Sequence, residues 1–372
     1  MTHRHLVLPS AVALLALAVA PTLGAQDWPQ WRGPNRDAKA IGFEAPKAWP
    51  AELSQKWKVE VGDGVSTPAL VGDRLFVFSR VGGEEVLRCL EAATGKEVWQ
   101  EKYAARPVGG PASSFAGPRS SPTVADGKVI TLGVEGVLSC RDASTGKLVW
   151  RKEDFKGQVP RFATSSSPIV LGGLCIAQLG ASQGGGVVAY DLATGNEAWK
   201  WMGGGPAYGS PVVANVGDTK ALVLPTDGSL VALDAAKGEL LWKTEYSQGR
   251  YNAATPIVDG ETLVIAGPGE GITAEKLVKK DGKLTTEELW SVPDNSLMFN
   301  TPVLKGGLLF GLSSANNLFC IDTKSGKTLW SGPVDGSAQA AGGDQGRGGG
   351  EGPGGRGGRG GRGGRGGRMG GG

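Results

Sequence analysis

The stretches "CLEAATGKEVW" (89–99), "CRDASTGKLVW" (140–150), "AYDLATGNEAW" (189–199), "ALDAAKGELLW" (232–242) and "CIDTKSGKTLW" (320–330) return the chain five times to an acid, a Gly and a Trp at nearly fixed offsets. In each, a short apolar run ends in a carboxylate (Glu91, Asp142, Asp191, Asp234, Asp322) that is able to accept turn N–H groups. The following Gly (Gly95, Gly146, Gly195, Gly238, Gly326) takes the positive φ that a tight hairpin turn requires. A second recurring run lies upstream of each Trp, from "STPALVGDRLFV" (66–77) to "NTPVLKGGLLFG" (300–311), and it always carries Ser or Thr before Pro. These prolines are 68, 122, 168, 211, 256 and 302, at intervals from 43 (168 to 211) to 54 (68 to 122) residues. Such a period matches a four-stranded propeller blade.

The repeat predicts an all-β chain: a β-propeller of four-stranded antiparallel blades with six recognisable repeats. Proline opens the innermost strand, whose edge toward the central channel has no ladder partner for a missing N–H. Trp99, Trp150, Trp199, Trp242, Trp290 and Trp330 are expected on the outer strands, where an indole covers the gap to the neighbouring blade. The unit at 251–290 keeps its Trp and loses the Thr-Gly turn. One more Trp strand, "LSQKWKVEV" (53–61), precedes the first unit, with Trp57 placed 42 residues (99 − 57) before Trp99. It gives two outcomes: a six-bladed ring with 53–61 as an extra outer strand, or an incomplete seven- or eight-bladed ring. The spacing of Trp57 favours the second, an open arc whose exposed edge invites pairing with another chain. A solenoid, or several small β domains, is the competing architecture.

The chain divides into a signal peptide (1–25), a Trp-rich segment (26–52), the propeller (53–332) and a Gly/Arg-rich tail (333–372). A basic start at Arg4, an apolar run from Leu6 to Ala20 and small residues near Ala25 make the signal layout, with an N-terminal membrane anchor as the alternative. Export removes His3 and His5, the only histidines. The remaining chain then has no Ser/His/Asp or Cys/His mechanism and no His-ligated zinc. Cys89, Cys140, Cys175 and Cys320 form no CxxC; they read as small core residues, with disulfides as the alternative in an oxidising compartment. In the tail, Arg356, Arg359, Arg362, Arg365 and Arg368 recur among glycines, a composition that predicts disorder. Such a tail suits contact with anionic surfaces better than specific nucleic-acid binding.

The units resemble the PQQ-type repeats of quinoprotein propellers and are similar to the lipoprotein scaffold of the outer-membrane β-barrel assembly machine. "DWPQWRGPNRD" (27–37) resembles the start of a group of exported PQQ-like propellers. The resemblance implies fold strongly and activity weakly, because the repeat residues hold blades together. Three functions follow. The first is an exported, non-enzymatic binding or scaffold module of the periplasm or extracellular space, holding a protein, peptide or polysaccharide of the cell envelope. It has no catalytic residue, no metal and no cofactor. The second is a quinoprotein dehydrogenase using pyrroloquinoline quinone and calcium. That chemistry needs a carboxylate base and oxygen ligands, which the openings of the inner strands (Ser66, Ser120, Ser166, Gly209, Ala254, Asn300) do not supply. The third, from the resemblance alone, is an outer-membrane assembly factor. Candidate binding residues stand just ahead of the inner strands, at the channel mouth: Arg119, Arg161, Tyr208, Tyr251, Asn252, Phe299 and Asn300. The segment "WPQWRGPNRD" reads as a packed latch rather than a site.

Overall fold

The computed structural model describes residues 26–246, 252–267, 271–280 and 283–334. The signal segment, Tyr251 and the tail from residue 335 lie outside them. The described chain forms six four-stranded antiparallel sheets, each a meander in sequence order. Blade 1 comprises Ala69–Val71, Arg74–Val81, Glu84–Glu91 and Glu97–Ala104. Blades 2 to 6 occupy 123–152, 169–201, 212–245, 257–292 and 303–333. No described helix is long and apolar enough to cross a membrane. All four cysteines are buried free thiols in the blades.

The recurring acid and Gly build the turn between the third and fourth strands. In blade 2, Asp142 Oδ1 accepts the backbone N–H of Thr145 at 2.8 Å and both the Ser144 and Thr145 hydroxyls at 2.6 and 2.8 Å. Gly146, at φ +75°, then donates its N–H to the Asp142 carbonyl at 2.9 Å. All six blades share a register shift just beyond the residue paired with Trp, as between Cys140 and Arg141. A bulge there bends the outer strand and sharpens its twist.

Each turn Gly is also the seat of the preceding blade's Trp. A Cβ on Gly146 would stand 2.7 Å from the Trp99 ring, and one on Gly195 2.7 Å from Trp150. The indole N–H closes the seat by donating to a turn carbonyl: Trp99 to Ala143 at 3.1 Å, Trp150 to Leu192 at 3.0 Å, Trp290 to Thr323 at 2.7 Å. Trp199 packs on Gly238 in the same way, but its buried N–H has no acceptor. Among the described residues no glycine lies beneath Trp242. Blade 5 replaces the turn with two long strands, Gly271–Lys280 and Lys283–Val292, and Leu277 and Leu284 from these share a core with Trp242.

The Ser or Thr before each proline makes a second link, nearer the channel. The Thr67 N–H donates to the Ser121 hydroxyl, Ser121 to Ser167, Ser167 to Ser210, Ser210 to Thr255 and Thr255 to Thr301, all at 2.9–3.0 Å. Proline has no N–H of its own to offer, so the preceding residue carries both donor and acceptor. Among the described residues the chain stops at Thr301; no bond returns from it to Thr67.

Residues 53–61 form no strand, contrary to the expectation for that stretch; Asp63 makes an isolated bridge with Arg80. Trp57 nevertheless docks as a blade-end Trp does, with Gly95 beneath its ring and its indole N–H on the Ala92 carbonyl at 3.0 Å. Among the described residues no glycine lies beneath Trp330 of blade 6. Among them, neither a Trp seat nor a hydroxyl link joins blade 6 to blade 1.

Residues 27–37 cross the channel instead. Trp28 exchanges backbone bonds with Leu70 of blade 1, and the Pro29 carbonyl accepts Val124 N–H of blade 2. Arg36 donates to the Ser167 and Pro168 carbonyls of blade 3 at 2.9 and 3.0 Å. Arg32 reaches the Thr301 and Pro302 carbonyls of blade 6 at 2.8 and 2.6 Å. Both arginines lie over the Trp31 ring, 5.5 and 5.3 Å from its centroid. They also adopt left-handed backbone, at φ 59° and 57°, which costs about 1–2 kcal/mol per residue and is offset by these bonds.

Candidate binding site at the channel mouth

The crossing segment divides the channel. On one side lies a cavity of about 480 Å³ lined by Arg32, Asn35, Arg36, Asp37 and Lys220. Burial pulls both guanidinium pKa values below their ordinary range. Their terminal nitrogens donate to blade carbonyls, while the buried Nε of each has no acceptor among the described residues, so these groups serve the latch. On the other side opens a cavity of about 670 Å³, the channel mouth, floored by Trp31. Its walls come from the loops that enter the inner strands: Phe115 and Arg119, Phe162 and Ser165, Tyr208 and Ser210, Ala253 and Thr255, and Phe299 and Thr301.

Three of the seven residues singled out in the sequence meet there. Arg119 is half-buried and donates to the Ala112 carbonyl at 3.0 Å. Burial lowers its pKa, with Tyr208 acting in the opposite sense. Tyr208 accepts the Phe162 N–H on its hydroxyl at 3.2 Å, and the two rings lie 6.0 Å apart, tilted by 60°. Phe299 stands largely exposed at the rim. The others point elsewhere. Arg161 lies over the Phe162 ring and lines a separate cavity of about 290 Å³ with Arg106 and Glu135. Asn252 is a buried staple whose amide donates to the Thr226 and Tyr246 carbonyls. Asn300 donates to Leu312 within blade 6 at 2.8 Å. Tyr251 lies outside the described residues.

Sequence reasoning missed Trp31, Phe115 and Phe162. Phe162 adjoins Arg161 and Phe115 precedes Arg119 by four residues, so the entry loops held the signal. Trp31 was assigned to the latch alone, whereas it is at once part of the latch and the floor of the cavity.

The donor set decides what chemistry the mouth supports. No described lining residue is a carboxylate. Among the described residues no group of three or more His, Cys, Asp or Glu could hold a metal ion. The most buried acid, Glu85, is held by the Tyr103 hydroxyl and the Val134 N–H, and burial raises its pKa; it does not line the mouth. A calcium-quinone centre needs oxygen ligands and a carboxylate base. The described lining supplies hydroxyls and no carboxylate, so it does not fit such a centre.

Six four-stranded blades around a channel, five of them with an acid-turn-Gly-Trp unit, define a PQQ-type repeat propeller. The family model described as outer membrane protein assembly factor BamB matches residues 18–202 and 84–332, and the chain belongs to that family. It is 25% identical over 309 residues to the outer membrane protein assembly factor BamB of Burkholderia pseudomallei, covering 80% of this chain and 64% of that one. It is 29% identical over 158 residues to the quinohemoprotein alcohol dehydrogenase of Comamonas testosteroni, covering 40% of this chain and 21% of the enzyme. The crystal structure of BamB from Moraxella catarrhalis superposes with a TM-score of 0.49 at 16% identity, covering 73% of each chain. The matched stretches span from 52% to 64% of the first four curated assembly factors.

Proposed function

We propose that this chain is an exported, non-enzymatic propeller of the cell envelope that binds a partner at its channel mouth in the course of outer-membrane protein assembly. The observation that carries the reading is the mouth itself: aromatic side chains from successive entry loops and a single arginine, with no acid among the described lining residues. That lining favours binding over turnover. The family and the names of its curated members support the assembly role. The signal layout and the same relatives support a periplasmic location. The Gly/Arg tail, with its net positive charge, would add contact with anionic lipid or polysaccharide.

Complementation tests the reading. A strain lacking this protein should show reduced outer-membrane β-barrel protein, restored by the wild type and not by a Tyr208→Ala/Phe299→Ala double variant that remains folded. Full restoration by the double variant would remove the mouth from the function. Saturable alcohol oxidation by purified protein, dependent on added quinone and calcium, would overturn the non-enzymatic reading.

A further inference from the structure

The mouth cavity offers an excess of hydrogen-bond donors, and this selects among the ligands an aromatic-walled site could hold. Three of its hydroxyls, Ser210, Thr255 and Thr301, each accept a backbone N–H from the neighbouring blade at 2.9–3.0 Å. A hydroxyl that has accepted such a bond still has its own proton to give. None of the three donates to a protein group among the described residues. Arg119 adds further N–H donors and has no carboxylate partner: its bonds go to the Ala112 and Gly117 carbonyls, at 3.0 and 3.5 Å. The guanidinium is thus a partly desolvated cation against aromatic walls, with nothing anionic in the described lining to balance it.

A neutral sugar fits this lining less well, because it brings no charge to balance the guanidinium. A carboxylate fits well: two oxygens that only accept, and a charge to match the guanidinium. Trp31, Phe115, Phe162 and Phe299 would bury an apolar body attached to it. We propose that the channel mouth binds an organic carboxylate carrying an aromatic or aliphatic body, with Arg119 pairing the carboxylate and the aromatic walls holding the body. The proposal rests on the mouth being a binding site and adds the chemical class of what it binds.

Two probes of the same shape separate charge from shape: phenylacetate and its neutral amide, titrated into the full chain by ligand-observed NMR. The acid should bind saturably, and the amide roughly tenfold more weakly or worse, as expected for loss of a charge-assisted bond. Arg119→Gln should abolish that preference, whereas Arg119→Lys should keep most of it. Phe299→Ala should weaken both probes alike. A melting curve for each variant shows whether it is folded, and the Lys variant keeps the test open if the Gln variant is not. Equal binding of acid and amide to the wild type would overturn the carboxylate assignment while leaving the mouth a binding site. A preference that survives Arg119→Gln, or no binding of either probe, would overturn it as well. Complementation by mouth variants judges the broader reading separately.

Discussion

The junction between blades 2 and 3 and the outward face of blade 6 are built from matching residues and end in opposite environments. At the junction, Ile130, Leu138 and Trp150 are 0%, 0% and 7% exposed, packed under Cys175, Val188 and Tyr190 of the next blade. The residues in register with them in blade 6 are Phe310, Leu318 and Trp330, and these are 38%, 46% and 49% exposed. Phe310 and Trp330 still meet, with centroids 6.3 Å apart, much as Phe76 and Trp99 do at 6.0 Å in blade 1. The aromatic pair is therefore formed within a blade, but its burial depends on the neighbour. A repeat contributes half a core, and only the adjoining blade turns apolar area into stability.

The largest expected effect tests the buried side of that contrast. Trp150→Ala should cost about 3–5 kcal/mol, measured by denaturant unfolding. A loss near zero would mean that the seat on Gly195 contributes nothing. Next is the seat itself. Gly195→Ala places a methyl group 2.7 Å from the Trp150 ring on a residue at φ +74°, and should cost about 1–3 kcal/mol. Trp330→Ala should cost about 1 kcal/mol or less. If it matches Trp150→Ala instead, something covers the blade 6 face in solution, and sedimentation of the two proteins would show whether that is another copy of the chain.

The smallest effect is one that acid removes. The Ser144 and Thr145 hydrogen bonds draw the Asp142 carboxyl down from 3.8 to about 2. Its folded-state pKa lies below the unfolded value, so its contribution is complete above about pH 4 and disappears as the pH falls through about 2. The melting temperatures of wild type and Asp142→Asn should differ slightly at neutral pH and converge at the acid end of that window. A constant offset across the range would assign the turn's stability to shape rather than charge.

The repeat was readable because its signals are local. An acid, a Gly and a Trp within eleven residues describe one turn and one strand, and the six sheets follow. The long-range bonds were not readable in the same way. The Ser or Thr before proline was visible six times, yet its partner lies one repeat away, 43–54 residues along the chain. The segment carrying Arg32 and Arg36 reads as a packed latch from its two Trp, while the blade carbonyls that hold the arginines are 131 to 270 residues distant. The site shows the same limit. Of the residues ahead of the inner strands, Arg119, Tyr208 and Phe299 line the mouth. Asn252 and Asn300 turn their amides to nearby carbonyls, and Arg161 leans over Phe162 toward another cavity. Loop position predicts proximity; the direction of a side chain depends on which neighbour needs its hydrogen bonds.

The row of hydroxyls around the channel has a bearing on how such a molecule changes over generations. Each bond runs from the residue before proline in one repeat to its counterpart in the next, and Ser or Thr serves every position. The joint needs only a hydroxyl and is therefore generic. A duplicated or deleted repeat brings its own donor and acceptor and meets its new neighbour with the old connection, so unequal recombination within the gene leaves the seam intact. Blade number becomes a quantity that drift can alter at little cost. Individuality is then left to the entry loops, where Phe115, Phe162 and Tyr208 differ from repeat to repeat, and selection for a ligand can act there without disturbing the joints.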